Sequence, residues 1–244
     1  MSRTTSATSR SACGRRSIDL IVARAGPVAT LTLNRPERRN ALDGGLLSEL
    51  IATLTALNDD PSARVVVLTG APPVFSSGAD QGRGSAAPPP PGQFIRLFSR
   101  LATVLERLEL PVIAALNGHA VGGGWVLALC CDFRFAAEAA QCWIPEVDMG
   151  IALHPVLITP FVRLVGPART REITLEARRY PAREQHAMGL VHRVVAGDAL
   201  ADAAAEYAAH LAAKPFRPLA EMKARINQIA RVTYREAGPF MVSP

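Results

Sequence analysis

The chain has 244 residues, 49% of them hydrophobic, and carries 27 basic against 21 acidic side chains for a net charge of +6. That length suits one well-buried core, and no uninterrupted apolar run reaches the roughly 18 residues of a membrane span. The basic excess is mostly arginine and suits a phosphate-bearing ligand; with no nucleic-acid motif and few interleaved aromatics, binding to DNA or RNA is not expected.

Residues 1–17 lack the apolar core of a secretory signal and read as a disordered extension. Cys13, Cys130, Cys131 and Cys142 show neither metal-site spacing nor a disulfide framework, which fits a reducing cytoplasm. Two strands, 18–23 and 28–33, meet at Gly26-Pro27, a hairpin signal. Asp43 can cap a helix running to about residue 58, with Leu46, Leu47, Leu50, Leu54 and Leu57 on one face. The β-branched run 64–69 reads as a buried parallel strand. A loop covers 70–79, and the proline-rich stretch 82–92 reads as a mobile surface excursion. A helix over 93–107 turns Phe94, Leu97, Phe98, Leu101, Val104 and Leu105 inward. Val112 to Leu116 is a strand that runs into a turn with three consecutive glycines, Gly122, Gly123 and Gly124. Further strands are expected at 132–136, 142–144 and 191–195. Helices are expected at 155–164, 168–176, 181–189, 198–213 and 218–231. Strands alternating with helices predict an α/β fold with a largely parallel sheet.

The glycine turn is the stretch most indicative of function. Glycine lets a ligand approach the backbone, and the first amides of a helix are left without intrahelical acceptors. Such amides bind an anion or a negative charge that develops during a reaction. The order of glycines does not give the spacing of a dinucleotide-binding turn.

Four segments together resemble the crotonase superfamily, the enoyl-CoA hydratase/isomerase family. They are Asn34-Arg35-Pro36 to Asn40-Ala41-Leu42, Phe75 to Asp80, Asn117 to Asp132, and Pro145-Glu146-Val147 to Gly150; residues 182–195 resemble a further helix and strand of the family. The resemblance implies a crotonase-like spiral core over 18–195 and a helical C-terminal region over 196–244, short for the family. It implies an oxyanion hole for an acyl-CoA thioester, formed by the N–H groups of Ala79 and Gly123. It implies that coenzyme A lies along Arg38, Asn40, Ala41 and Asp80, with Lys223 a further phosphate partner, Val126 at the substrate site, and Trp125 and Trp143 as apolar pocket wall or core. No metal and no separate cofactor is expected, since coenzyme A belongs to the substrate, and the assembly implied is a homotrimer or hexamer.

One position departs from the pattern. Hydratases of the family use two glutamates around one water; here Val126 stands at the first position and Glu146 at the second. Valine moves no proton, so Glu146 is the expected acid–base group, unless it is a surface glutamate paired with an arginine. His154, eight residues on, either shuttles a proton with Glu146 or fills space left by a missing Gly-rich turn. One carboxylate beside an oxyanion hole suits double-bond isomerisation. Hydration, decarboxylation, C–C cleavage and inactive acyl-CoA binding are the alternatives.

Overall fold

The computed structural model describes residues 19–82, 90 and 92–235. The extension expected at 1–17 and most of the excursion expected at 82–92 lie outside the described residues.

Strands β1 (Leu20–Ala25) and β2 (Val28–Leu33) form the expected hairpin. Helix α1 (Gly44–Asp59) starts where Asp43 Oδ1 accepts the Leu46 N–H at 2.8 Å, and it buries the five leucines read from its spacing. Each such leucine contributes about 1.5–3 kcal/mol by leaving water. Next come β3 (Val65–Gly70), α2 (Gln93–Arg107), β4 (Val112–Leu116), β5 (Ala120–Val121), α3 (Gly123–Leu129), β6 (Phe133–Ala137) and β7 (Gln141–Trp143). The chain continues through α4 (Pro155–Glu176), β8 (Tyr180–Pro181), α5 (Ala182–Ala187), β9 (Arg193–Val195), α6 (Leu200–Ala212) and α7 (Phe216–Arg235).

The main sheet has six strands in the order β1-β2-β3-β4-β6-β9, parallel at every pairing except the β1–β2 hairpin. Both its faces are covered, which is why β3 and β4 read as continuous apolar runs. Val66, Leu68, Val112, Ala114 and Leu116 face the larger core with α1, α2 and α3. Val65, Val67, Ile113 and Ala115 face the other way, onto Leu200, Ala204, Ala208 and Leu211 of α6.

A smaller sheet, β5-β7-β8, lies beside the start of α3. Strands β5 and β8 have two residues each, too few to leave a period in the sequence. The two helices expected across 155–176 are both present within the span α4 and are separated at Gly166, whose φ of 71° and ψ of 172° are not helical. Among the described residues no helix is long and apolar enough to cross a membrane.

Candidate active site

The backbone of residues 76–80 is held from two sides. Leu42 and Ala79 form an isolated parallel bridge: the Leu42 N–H donates to Gly78 O at 2.8 Å, and the Asp80 N–H donates to Leu42 O at 3.0 Å. Opposite, the Val121 N–H donates to Ser76 O at 3.0 Å. In a parallel bridge the residue between the two bonded groups turns its own N–H outward. The Ala79 N–H therefore faces away from Leu42 and lies close to the start of α3. A Cβ built on Gly123 would sit 3.7 Å from Ala79 N, and one on Gly78 only 3.2 Å from Gly123 N. Gly78, with φ of +87°, has no room for a side chain, since a Cβ would fall 2.6 Å from Val121 O. Among the described residues, neither the Ala79 nor the Gly123 amide donates to a protein acceptor. The Gly123 amide is free because it opens a helix. Two adjacent, unspent donors fixed in advance can stabilise a developing oxyanion, each by about 3 kcal/mol.

The three glycines each press on a different group. A Cβ on Gly122 would lie 2.5 Å from Glu146 Oε1, one on Gly123 2.8 Å from Phe94 Cζ, and one on Gly124 2.7 Å from Ser76 O. Gly122 also takes a φ of 49° with ψ of −123°, which a residue with a Cβ adopts only under strain.

Glu146 thus reaches the glycine turn from the Pro145–Gly150 turn, where the Ile151 N–H donates to Glu146 O at 2.8 Å. Its side chain is half-buried, and its Oε2 is buried without a hydrogen-bond partner among the described residues. No arginine or lysine among them pairs with it, so the surface ion pair considered above is not what the structure contains. Desolvation pushes its carboxyl above the ordinary glutamate range, and its own backbone N–H partly offsets that. Val126 has no exposed surface and belongs to the core beneath α3, its N–H donating to Gly122 O at 3.1 Å. It lines the packed interior of the helix rather than an open pocket.

Several expected ligand contacts have other partners. His154 is exposed and caps α4, its Nδ1 accepting the Val156 N–H at 3.3 Å; no hydrogen bond or ring contact among the described residues joins it to Glu146. Asn40 is fully buried: its Nδ2 donates to the carbonyls of Ala71 and Val74, and its Oδ1 accepts the Arg35 N–H. It shapes the loop and has no surface to offer coenzyme A. Ala41 is also buried, its carbonyl taken by Arg35. Asp80 lies between Arg35 and Arg38. Trp125 is a core residue, packed edge-on against Phe161 and tilted against Tyr180. Lys223 is only 9% exposed and bonds Asp132 Oδ2 at 2.7 Å and Leu110 O at 2.8 Å, so it fastens α7 to the body. Arg38 keeps more than a third of its side-chain surface open beside Asp80, and Trp143 is half-buried under Arg179.

Sequence reasoning treated Phe94 only as a core residue and missed Arg35 as a site residue. Phe94 is half-buried with its ring over the Gly123 Cα. Arg35 pairs with carboxylates far apart in sequence, which no local pattern signals. Among the described residues no group of three or more His, Cys, Asp or Glu is placed to hold a metal ion.

A family model described as enoyl-CoA hydratase/isomerase matches residues 23–238. The chain is 34% identical to a crotonyl-CoA hydratase of Syntrophomonas wolfei, over 86% of this chain and 82% of that one. A solved enoyl-CoA hydratase subunit from Geobacillus kaustophilus superposes with a TM-score of 0.81 at 31% identity, covering 88% of this chain and 83% of the other. A monofunctional enoyl-CoA isomerase from M. smegmatis superposes with a TM-score of 0.77 at 32% identity, covering 88% and 95%. By sequence and by fold, the chain belongs to the enoyl-CoA hydratase/isomerase family of the crotonase superfamily, a family of enzymes.

Proposed function

We propose that the protein is an enoyl-CoA double-bond isomerase acting on an acyl-CoA thioester. The observation that carries this reading is the pairing of two unspent amides, Ala79 and Gly123, with one unpaired carboxyl at Gly122, while Val126 removes the second carboxylate. In this reading the thioester oxygen accepts from both N–H groups. Glu146 takes a proton from the α-carbon, leaving a dienolate whose charge rests on that oxygen. The same carboxyl, now protonated, returns the proton at the γ-carbon. The double bond moves one position, and no atom is gained or lost. A carboxyl whose neutral form is favoured by burial is a stronger base toward the weakly acidic α-carbon and holds the proton long enough to deliver it. Arg38, with open surface beside the loop that carries Ala79, is the residue we assign to a phosphate of coenzyme A.

Hydration is the second reading, supported by the name of the Syntrophomonas wolfei relative. There Glu146 would activate a water that adds across a 2-enoyl thioester, without a second carboxyl. Incubation with 2-enoyl- and 3-enoyl-CoA panels, followed by mass detection, separates the two. The isomerase reading expects interconversion at constant mass; a mass gain of one water at a rate exceeding isomerisation sinks it.

We further read the protein as cytoplasmic and as a trimer or a pair of trimers. The cysteines Cys130, Cys131 and Cys142 are unpaired, as in a reducing compartment. Exposed apolar side chains at Val147, Met149 and Ile151, and at Met222, Ile226 and Ile229 on α7, are the surface that association would cover. Light scattering on the purified protein tests the assembly, and a monomeric mass overturns it.

A further inference from the structure

We propose that Arg35 is a positioning residue for the oxyanion hole: its guanidinium clamps the two backbone segments that aim the Ala79 N–H. This rests on the reading of Ala79 and Gly123 as oxyanion donors. The Leu42–Ala79 bridge matters most, because it sets which way the Ala79 amide turns. Arg35 grips the bridge one residue from each partner. Its Nη1 donates to Ala41 O at 2.6 Å and lies 3.2 Å from Asp80 Oδ2. Ala41 precedes Leu42, and Asp80 follows Ala79.

The remaining nitrogens extend the clamp. Nη2 lies 2.9 Å from Oδ2 of Asp43, the residue that caps α1, and Nε lies 3.7 Å from Asp19 Oδ2 beside β1. The Arg35 N–H donates to Asn40 Oδ1 at 3.0 Å, and its carbonyl accepts the Asn40 N–H at 2.8 Å. These bonds hold Arg39 and Asn40 at φ of 52° and 53°, a left-handed pair of non-glycine residues that does not persist without outside support. That strained turn in turn takes Ser77 N–H on Arg39 O at 2.9 Å and the Ser76 hydroxyl on Asn40 O at 2.8 Å, directly upstream of Ala79.

Only a planar fork can reach these acceptors at once. A guanidinium presents five donors in fixed directions, whereas an ammonium is a single point charge on a flexible stem. With a side chain 11% exposed, Arg35 is poorly placed to touch substrate; it acts through Ala41 and Asp80. Asp80 also faces Arg38 at 3.6 Å, so two guanidinium groups stand against the carboxylates of Asp19, Asp43 and Asp80.

The test is Arg35→Lys, which keeps the charge and loses the fork, with Asp80→Asn as a second variant that removes one end of the clamp and spares Asp43 and α1. The readout is the enolate fraction of a bound 3-oxoacyl-CoA, followed by near-ultraviolet absorbance across pH. Enolisation reports the strength of the oxyanion donors without requiring turnover. In the wild-type protein the bound ligand is expected to enolise at lower pH than free ligand. In Arg35→Lys the bound enolate-to-keto ratio at fixed pH is expected to fall about tenfold or more, and kcat to fall about ten- to a hundredfold while KM changes by less than about threefold. Asp80→Asn is expected to shift the ratio in the same direction by a smaller factor. A lower melting temperature with unchanged enolisation and kcat in both variants overturns the clamp and leaves Arg35 a structural residue. A wild-type protein that does not shift the ligand's enolisation overturns the oxyanion reading itself, and the clamp with it.

Discussion

The two sides of the candidate site are built in opposite ways. On the donor side, residues 38–42, 76–80 and 120–124 lock one another through backbone bonds, an arginine fork and a buried asparagine. On the acid–base side, one glutamate projects from a turn whose next residues, Val147 to Ile151, are exposed and held by a few local hydrogen bonds. In the proposed reading the first region holds the thioester enolate, and it does so with main-chain N–H groups that only a proline substitution removes outright. In the same reading the second region moves the proton, and it does so with a single side chain. Such a division lets a scaffold keep its oxyanion site while the chemistry changes at one or two positions.

The contrast can be broken most sharply at its acid–base end. Replacing Glu146 by Gln should lower turnover by about 10²- to 10⁴-fold while acyl-CoA affinity, measured by calorimetry, changes little. Because burial raises the Glu146 carboxyl, its base form is lost as pH falls through a value above the ordinary glutamate range, so the acid limb of the kcat/KM profile should lie there. The linked stability effect has the opposite sense to that of a salt-bridged acid. The folded protein binds this proton more tightly than the unfolded chain, so the ionised carboxyl costs stability above the folded pKa, and the cost vanishes below the unfolded one. Glu146→Gln should therefore melt slightly higher at neutral pH, with the difference closing by about pH 4. A Gln variant that turns over at the wild-type rate would remove Glu146 from the mechanism.

Gly122 is where the two regions touch. Gly122→Ala puts a methyl 2.5 Å from Glu146 Oε1 and forces an L-residue into a φ of 49°. Turnover should fall about a hundredfold through displacement of the carboxyl, with a stability loss of about 1–3 kcal/mol seen in denaturant titration. Val126→Glu asks whether the missing carboxylate alone separates the reactions. Buried in the core of α3, the new acid should cost about 2–4 kcal/mol of stability. Water addition to a 2-enoyl-CoA should rise severalfold above the wild-type level, and a flat result would show that Val126 does not choose the reaction. The smallest effect belongs to His154. His154→Ala should lose a helix cap, about 0.5–1 kcal/mol, and leave kcat within about twofold. A large fall in kcat with a displaced pH profile would restore the shuttle.

How much of this could be read from the chain depends on how local each feature is. The glycine turn was legible because three consecutive glycines ahead of an apolar helix leave few structural alternatives. The α1 leucines and the two-faced strands β3 and β4 were legible because their periods lie within single elements. The packing role of Lys223 was not legible, because its partner, Asp132, lies 91 positions earlier in the chain. Asn40 is assigned to ligand contact from motif position, and Trp125 to pocket wall or core; the burial of both is set by chain segments that meet only in the folded state. Arg35 shows the same limit from the other direction: Asp19, Asp43 and Asp80 converge on it from three separate segments of chain, and none of them marks it in sequence.

The glycine triple is usefully viewed as three independent constraints that share an address. Glu146 sets the first, the Phe94 ring the second and the Ser76 backbone the third. Alanine at each should therefore fail in its own way: at Gly122 in proton transfer, at Gly123 by pushing aside the aromatic ring above the donor, and at Gly124 in seating α3 on the neighbouring segment. A ring is free to swing where a carbonyl is not, so the middle position is the most permissive of the three. An altered side chain there would reshape the space beside the proposed oxyanion donor without removing the Gly123 amide.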